Sequence, residues 1–249
     1  MTRILILGGT TEASQLAAAL AKRGADAVFS YAGRTNSPIA QPLPTRIGGF
    51  GGADGLADYL TCEGIGQVVD ATHPFAAQMS MNAVQACFKA GIPLCGFERA
   101  PWQAGPGDNW QEVPDLAAAM AALPMAPTKV FLAIGKQNLS QFSRADHHHY
   151  LLRLVDDPQL ALPLSNTSVV IDRGPFTAPS DKAMLLNHKI EVIVAKNSGG
   201  SGARAKIDAA RELGVPVIMV NRPKVTSRMV LGNLDQVLAW LDHSTRLGV

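Results

Sequence analysis

A repeated alternation of two patterns constrains this chain most: short apolar runs without charge, and longer segments with helical spacing. Residues 4–7 are a bare apolar run, and residues 11–23 follow with Leu16 and Leu20 at helical spacing before Gly24. A bare run is typical of a strand buried on both faces of a parallel sheet, and glycine commonly ends a helix. Strand–helix alternation with short links therefore predicts an α/β fold with a doubly wound parallel sheet.

The alternation occurs twice, on either side of a proline-rich stretch. Residues 101–128 hold five prolines and two tryptophans, which predicts a connector between lobes. Residues 130–134 are again a bare apolar run and begin a second series. We therefore predict a first Rossmann-like domain over residues 1–100, the connector over residues 101–128 and a second doubly wound domain over residues 129–249.

Composition excludes several classes of protein. With 249 residues, 47% of them apolar, the chain is too apolar for disorder and long enough for a large core. No run approaches the roughly 18 uncharged apolar residues of a membrane span, and the N-terminus begins a strand instead of a signal peptide. Cys62, Cys87 and Cys95 are too widely spaced for a disulfide framework or a CxxC site. We therefore expect a cytoplasmic enzyme.

Charge and histidine content exclude two further classes of ligand. The net charge of +2 argues against a long polyanion, so we predict no nucleic-acid partner. Residues 147–149 are three consecutive histidines, which do not converge well on one ion and have no suitably spaced carboxylate or cysteine. We therefore predict no metal site.

A glycine turn follows the first predicted strand. Such a turn, at the start of a helix, offers backbone N–H groups and the helix dipole to a phosphate. The strict G-x-G-x-x-G and Walker A patterns are absent, and a tight turn without a ligand is the alternative. We favour the phosphate site because the motif opens the first βα unit. The candidate coenzyme residues here are Gly8, Gly9, Thr10, Thr11 and Glu12.

The end of the second predicted strand indicates which dinucleotide binds. NAD sites usually carry an acid there for the ribose hydroxyls, but residues 30–35 contain none. Gly33, Arg34 and Thr35 stand at this position instead, and arginine with threonine suits a 2′-phosphate. This favours NADP over NAD; a surface arginine in a loop is the alternative.

Two other loops of the first domain add candidate contacts. Residues 48–52 are glycine-rich and precede a predicted helix, so a coenzyme can lie close to the backbone at Gly51. Thr72 and His73 follow the strand predicted at residues 67–71, at the edge where ligands of open α/β sheets bind. They are candidates for contact with coenzyme or substrate, and we assign them to the coenzyme. A lone histidine is more often structural, so we assign His73 no proton transfer.

The second domain contains another strand-to-helix turn and a local excess of positive charge. Residues 196–228 hold seven basic and two acidic side chains, a local charge of +5 that suits a ligand with several carboxylates. A solvated helix face is the alternative, and accounts best for Lys206 or Arg211. The candidate substrate-binding residues are Lys136, Arg144, Lys196, Asn197, Ser198, Gly199, Gly200, Arg204, Arg222 and Lys224.

Taken together, these motifs resemble the precorrin-6A reductase family of cobalamin biosynthesis, over nearly the whole chain. The most specific matching pieces are Thr-His-Pro-Phe-Ala at residues 72–76 and Lys-Asn-Ser-Gly-Gly at residues 196–200. The other matching pieces lie at residues 6–13, 33–34, 48–52, 70–71, 172–176 and 222–223.

The resemblance implies NADPH-dependent reduction of precorrin-6A to precorrin-6B, with hydride going to C19 of the macrocycle and a proton to C18. It also implies a coenzyme domain, a tetrapyrrole domain and an active site in the cleft between them. The substrate would be a tetrapyrrole with several carboxylates. Contacts with neighbouring enzymes of the pathway would be transient. No side chain is assigned as the catalytic proton donor.

Two other functions compete with this interpretation. A short-chain dehydrogenase or epimerase needs Tyr-x-x-x-Lys, and none of Tyr31, Tyr59 and Tyr150 has a lysine four residues on. A non-catalytic NADP(H)-binding or redox-sensing module would need no basic cluster in the second domain. A different NADP-dependent oxidoreductase acting on an anionic substrate stays open on the residues alone.

Overall fold

The computed structural model describes residues 2–33, 38–158, 160–225 and 228–244. The chain divides into two compact units: unit 1 is Met1–Ala100 with Lys224–Val249, and unit 2 is Pro101–Pro223. The first segment of unit 1 contains, in chain order, β1 (Arg3–Leu7), α1 (Thr11–Lys22), β2 (Ala27–Tyr31), β3 (Thr45–Ile47), α2 (Gly52–Cys62), β4 (Ile65–Asp70), α3 (Ala77–Ala90) and β5 (Leu94–Phe97).

Unit 2 repeats the α/β arrangement. Its elements are β6 (Trp110–Val113), α4 (Leu116–Ala121), β7 (Lys129–Ala133), a 3₁₀ helix (Lys136–Phe142), β8 (His149–Leu154), β9 (Thr167–Ile171), α5 (Ala178–Asn187), β10 (Val192–Lys196), α6 (Ala205–Leu213) and β11 (Val217–Val220). The chain then returns to unit 1 with β12 (Met229–Leu231) and α7 (Leu234–Ser244).

The described strands form two six-stranded sheets, in the orders β12-β5-β4-β1-β2-β3 and β6-β11-β10-β7-β8-β9. Every recorded pairing between neighbouring strands is parallel. The first sheet has the complete strand order of a dinucleotide-binding fold, and the second has it except for the edge strand β6; the order reverses between β1 and β4 and between β7 and β10. The prediction of two Rossmann-like parallel-sheet domains is confirmed.

The bare apolar run of β1 is explained by the helices on both faces of its sheet. Ile4 and Ile6 belong to the core cluster with α1 and α7, whereas Leu5 and Leu7 belong to the cluster with α2 and α3. Since alternate side chains of a strand point to opposite faces, a strand covered on both sides favours apolar residues at successive positions.

The structure revises the predicted domain boundaries at both ends of the second domain. The stretch predicted as a connector contains β6 and α4, and β6 pairs with β11 in the sheet of unit 2. The last segment, predicted in the second domain, packs in unit 1, where β12 pairs with β5 and Val237 and Leu241 of α7 are buried. Gln67 of β4 fixes the end of that helix by donating to the Leu241 carbonyl at 3.0 Å.

Three strands were not predicted: β3, β6 and β12. Each has three or four residues and lies at the edge of its sheet. An edge strand of three or four residues has one neighbour and is too short for its sequence to show a distinct strand pattern. Met229 and Val230 of β12, for example, are about half exposed.

No helix among the described residues is both long enough and apolar enough to cross a membrane.

Candidate functional site

The loops after β1 and β4 meet where the order of the first sheet reverses. Leu7 and Asp70, the last residues of these strands, are register partners. The reversal opens a crevice at the carboxyl ends of the strands, which is where α/β sheets bind ligands. Gly8, Gly9 and Thr72, all predicted coenzyme contacts, lie in these two loops, which the structure brings together.

The turn after β1 is tight because Gly8 has no side chain. A Cβ atom on Gly8 would lie 2.1 Å from Cζ of Phe29 on β2, far inside van der Waals contact. The backbone N–H of Gly8 donates to the Ser30 carbonyl at 2.9 Å. Gly9 has φ +129°, a backbone conformation that favours glycine. The turn therefore keeps the backbone open at the start of α1.

Thr10 joins the two loops of the crevice. Its hydroxyl accepts from the N–H of Ala13, which caps α1, and donates to the Ala71 carbonyl at 2.8 Å. The positive end of the α1 dipole is thereby held against the loop after β4. Thr11 is the first residue of α1. This geometry suits a phosphate group at the helix N-terminus.

Glu12 lies in the first turn of α1, and its carboxylate forms an ion pair with Arg99. Both side chains are about one-fifth exposed. An unpaired carboxylate here would repel a phosphate, so Arg99 offsets a charge that is unfavourable for coenzyme binding. Glu12 is a predicted coenzyme contact, whereas Arg99 was not predicted. The structure assigns the Glu12 carboxylate to this ion pair.

Arg46 of β3 holds the glycine-rich loop and was also missed. Its guanidinium donates to the Ser30 hydroxyl at 2.9 Å and to the carbonyls of Gly48 and Gly49 at 3.0 and 3.1 Å. It also stacks on the Phe50 ring at 3.8 Å. Its position two residues before the glycine run was the available signal.

This loop lines a shallow recess at the carboxyl ends of β1, β2 and β4. The recess is lined by Leu7, Gly8, Ser30, Ala32, Gly48, Gly49, Phe50, Thr72 and Met79. Gly51 has φ +80° and is the N-cap of α2, and Gly33 has φ +72° after β2. Arg34 and Thr35, predicted for a 2′-phosphate, lie outside the described residues.

Thr72 and His73 follow β4. Both the N–H and the hydroxyl of Thr72 donate to Oδ1 of Asp70, at 3.1 and 2.7 Å. His73 is exposed, and its Nδ1 accepts from the N–H of Phe75 at 3.2 Å. The hydrogen bond at Nδ1 assigns the proton to Nε2 in the neutral ring. His73 therefore offers a donor at its outer nitrogen.

In unit 2 the corresponding crevice lies beside the loop after β10. Asn197 is buried there, and its side-chain amide exchanges two hydrogen bonds with the backbone of Trp102. The Trp102 N–H donates to Oδ1 at 2.7 Å, and Nδ2 donates to the Trp102 carbonyl at 2.9 Å. Asn197, predicted to contact substrate directly, uses this amide to fix the loop.

The carbonyl oxygens of this loop are bound by protein donors. Arg222 donates to the carbonyls of Asn197 and Ser198 at 3.0 and 3.1 Å, and the Trp102 indole donates to the Gly200 carbonyl at 2.7 Å. Gly199 and Gly200 have φ +68° and +71°, which a turn of this shape requires. Arg222 therefore stabilises the backbone of this loop through its hydrogen bonds.

Part of the local charge of +5 is paired with acidic side chains. Arg204 forms an ion pair with Asp208 at 3.1 Å, and Arg211 pairs with Asp108 at 2.9 Å. Lys224 and Arg228 belong to unit 1, not to the second domain in which they were predicted. A charge count along the sequence cannot show which acids fold back against these residues.

Two predicted basic residues are exposed near β7. Lys136 begins the 3₁₀ helix directly after β7, and Arg144 follows its end. Lys196 is the last residue of β10, whose neighbour in the sheet is β7. Lys136 and Lys196 thus stand at the carboxyl ends of the two strands between which the second sheet reverses its order.

A buried cluster of charges, absent from the predictions, lies where β8, α5 and α6 pack together. Arg153 and Asp181 form an ion pair at 2.5 Å, with side chains 9% and 1% exposed. Arg153 also stacks on Phe176 at 3.5 Å. Lys206 is buried, and its Nζ donates to the Ala203 carbonyl at 2.5 Å. Burial, assisted by the Arg153 charge, lowers the pKa of Lys206 to about 8.

The three consecutive histidines have structural partners. His148 is buried, and its Nδ1 accepts from the N–H of Thr128 at 3.2 Å. Burial lowers the pKa of His148, with a smaller contribution from His147. His149 contacts Asn166 and Ser168 through its two ring nitrogens. Among the residues that the structure describes, no group of three or more His, Cys, Asp or Glu side chains could hold a metal ion.

Comparisons with known proteins cover almost the whole chain. The family described as "Precorrin-6x reductase CbiJ/CobK" matches residues 3–242. A precorrin-6A reductase from Rhodobacter capsulatus is 63% identical over 244 residues, covering 98% of this chain and 97% of the relative. One from Rhodococcus erythropolis is 45% identical over 248 residues, covering 99% and 100%. A solved structure, "CobK precorrin-6A reductase", has a TM-score of 0.95 at 62% identity and covers 98% of this chain and 97% of its own.

Proposed function

The chain belongs to the precorrin-6x reductase family, an oxidoreductase family of cobalamin biosynthesis, and we propose that it reduces precorrin-6A to precorrin-6B with NADPH. The observation that carries this proposal is the match of both units, over 98% of the chain, to a precorrin-6A reductase. The glycine turn between β1 and the N-terminus of α1 supports a coenzyme site, because such a turn offers backbone N–H groups and the helix dipole to a phosphate.

Unit 1 is the proposed coenzyme domain. The turn of Gly8 and Gly9, capped by Thr10, binds the pyrophosphate at the start of α1. Arg34 and Thr35 bind the 2′-phosphate, and Arg46 keeps the neighbouring glycine loop in place. When bound, NADPH supplies the hydride for C19 of the macrocycle, and a proton is added at C18.

Unit 2 is the proposed tetrapyrrole domain. Free carbonyl oxygens would repel the carboxylates of a precorrin. In the loop after β10, Arg222 and Trp102 donate hydrogen bonds to three backbone carbonyl oxygens and so reduce this repulsion. This loop therefore presents Ser198, Gly199 and Gly200 to an anion, next to the ammonium group of Lys196. Basic groups that hold several carboxylates fix the orientation of the ring, so that hydride reaches one carbon from one face.

Lys136 and Arg144 are the further proposed contacts for substrate carboxylates, because both side chains are exposed beside β7. Arg204 and Arg222 serve the site by ordering its backbone and neighbouring charges. The cysteines Cys62, Cys87 and Cys95 are free thiols, which agrees with the proposed location in the reducing cytoplasm.

The test of this function is anaerobic incubation of the protein with precorrin-6A and NADPH carrying deuterium at its transferable position. We expect one NADPH to be oxidised per macrocycle, with deuterium incorporated at C19 and solvent hydrogen at C18. The matched control is the same incubation without protein. Folded protein that binds NADPH but leaves the macrocycle unreduced would contradict the reductase proposal.

Replacement of Arg34 by alanine tests the coenzyme preference. We expect the Kd for NADPH to rise by about 10- to 100-fold and the Kd for NADH to stay unchanged, because a charge-assisted contact to the 2′-phosphate is lost. Isothermal titration with both coenzymes measures this. Arg23→Ala is the control, since Arg23 is an exposed arginine paired with Asp242 just after the other end of α1. Equal weakening of both coenzymes would contradict the 2′-phosphate assignment.

A further inference from the structure

Three charged side chains meet beside the proposed coenzyme site, at the carboxyl ends of β4 and β5. Asp70 ends β4 and is fully buried, while Glu98 directly follows β5. Arg228 comes from the segment that returns to unit 1, just before β12, and is 7% exposed. Its Nη2 lies 3.1 Å from Oδ2 of Asp70 and also donates to Glu98. One guanidinium therefore bridges two carboxylates.

The backbone of β5 accommodates this guanidinium by having glycine at residue 96. A Cβ atom on Gly96 would lie 2.8 Å from Nε and 3.1 Å from Nη2 of Arg228. Both nitrogens thus occupy the space that a side chain at residue 96 would need, and any larger residue would displace Arg228. The position of Gly96 is a packing requirement of the Arg228 side chain.

Asp70 connects this arginine to the loop after β4. While Oδ2 faces Arg228, Oδ1 accepts from the N–H and the hydroxyl of Thr72. Two of the proposed coenzyme contacts, Thr72 and His73, lie in this loop. The next residue before them, Ala71, accepts from Thr10 at 2.8 Å. The Asp70 carboxylate therefore links Arg228 with the loop that closes one side of the crevice.

The charge of Asp70 is favourable only while Arg228 is present. A carboxylate buried completely without a counter-charge would take up a proton or disrupt its surroundings. Cys87 of α3 and Cys95 of β5 are the other titratable groups beside Asp70, and burial raises the pKa of each thiol to about 12, so neither carries charge. Glu98 adds a second negative charge to the same guanidinium. Arg228 is thus the counter-charge of the buried Asp70 carboxylate.

We propose that Arg228 is a positioning residue for the nicotinamide half of the coenzyme: through Asp70 it fixes Thr72 and His73. The inference rests on the proposed function. In a fold of this strand order the dinucleotide lies across the point of reversal, so β1–β3 serve one half of it and β4, β5 and β12 the other. Arg228 therefore acts on the half of the dinucleotide that β4, β5 and β12 serve.

The experiment compares Arg228→Met with the wild-type full chain in two measurements. We expect kcat for NADPH-dependent reduction of precorrin-6A to fall by about 10- to 100-fold, because the nicotinamide contacts lose their geometry. We expect the Kd for 2′,5′-ADP, a probe of the adenosine half alone, to change less than about twofold. This half is served by β1–β3, whereas Arg228 acts at β4 and β5.

A rescue variant separates positioning from general damage to the fold. The double variant Arg228→Met with Asp70→Asn removes the uncompensated charge but keeps a side-chain oxygen for Thr72, so we expect it to recover most of the lost kcat. Arg3→Met is the matched control. Arg3 also contacts two carboxylates, those of Asp26 and Glu63, but at the opposite end of the first sheet, so its loss should leave kcat unchanged.

Three results would overturn the inference. They are an unchanged kcat in Arg228→Met, a loss of 2′,5′-ADP binding as large as the loss of kcat, and no recovery in the double variant. Wild-type protein that does not reduce the macrocycle would instead overturn the proposed function, and this inference with it. Because wild-type turnover is measured first, the two failures are distinguishable.

Discussion

Replacing Asp181 by alanine is expected to lower the free energy of unfolding by about 3–5 kcal/mol, the usual cost of removing one partner from a buried ion pair. The substitution leaves the Arg153 guanidinium, 9% exposed, without its carboxylate. Lys206 lies close enough to Arg153 and Asp181 for the charges of both residues to shift its pKa. The cluster would hold two positive groups and no negative one.

The direction of the effect on Lys206 follows from the same contacts. Asp181 favours the charged form of Lys206, whereas Arg153 and burial disfavour it. Without Asp181 the pKa of Lys206 falls further below its present value of about 8, so the lysine becomes neutral at lower pH. The Arg153 guanidinium cannot be relieved in this way, because arginine stays protonated.

Urea denaturation monitored by tryptophan fluorescence measures the loss of stability. Asp156→Ala is the matched control, since Asp156 pairs with Arg173 at the surface, with side chains 42% and 52% exposed, and should cost about 0–1 kcal/mol. The double variant Asp181→Ala with Arg153→Met should recover most of the stability. A loss for Asp181→Ala no greater than that for Asp156→Ala would contradict the assignment of this pair as a buried one.

Replacing Gly8 by alanine is expected to decrease kcat/KM for NADPH by about 100-fold, because displacing a positioning group by about 1 Å has that effect on rate. The new Cβ would lie 2.1 Å from Cζ of Phe29, so the ring or the turn must move by more than an ångström. Overpacking of this kind also lowers the free energy of unfolding by about 1–3 kcal/mol.

Two further variants distinguish steric displacement from the loss of a glycine as such. Gly49→Ala should have little effect on stability, since a Cβ atom there meets no neighbour within 4 Å. The double variant Gly8→Ala with Phe29→Leu removes the ring that would clash and should regain part of kcat/KM. If Gly8→Ala reduced the macrocycle as efficiently as the wild type, the close approach to Phe29 would have no functional role.

The local patterns of the sequence predicted both sheets and the places where their loops are. The buried strands β1, β7 and β10 are visible as largely apolar runs. The glycine turn at Gly8 and the Asn197–Gly200 segment follow such runs directly. These features are local because burial on two faces favours apolar side chains, and a tight turn at the end of a strand needs glycine.

The same local patterns could not predict contacts between residues that are distant along the chain. Arg46 and Arg99 look like ordinary surface arginines in the sequence, yet they hold a coenzyme loop and offset the charge of Glu12. Asn197 looked like a ligand contact because it is a polar residue in a turn. Its amide is instead occupied by the backbone of Trp102, 95 residues away.

Arg228 shows most clearly what each level determines. Local patterns were enough to predict an α/β chain with two parallel sheets and a glycine turn at the start of each site, because periodicity and turn chemistry act within a few residues. The return of the last segment to unit 1, where Arg228 meets Asp70 and Glu98, depends on packing between distant residues. The edge strand β12 has only three residues, which is too short a pattern to predict the strand with which it pairs. Packing of the last segment against β5 and α1 therefore decides the position of this segment and of Arg228.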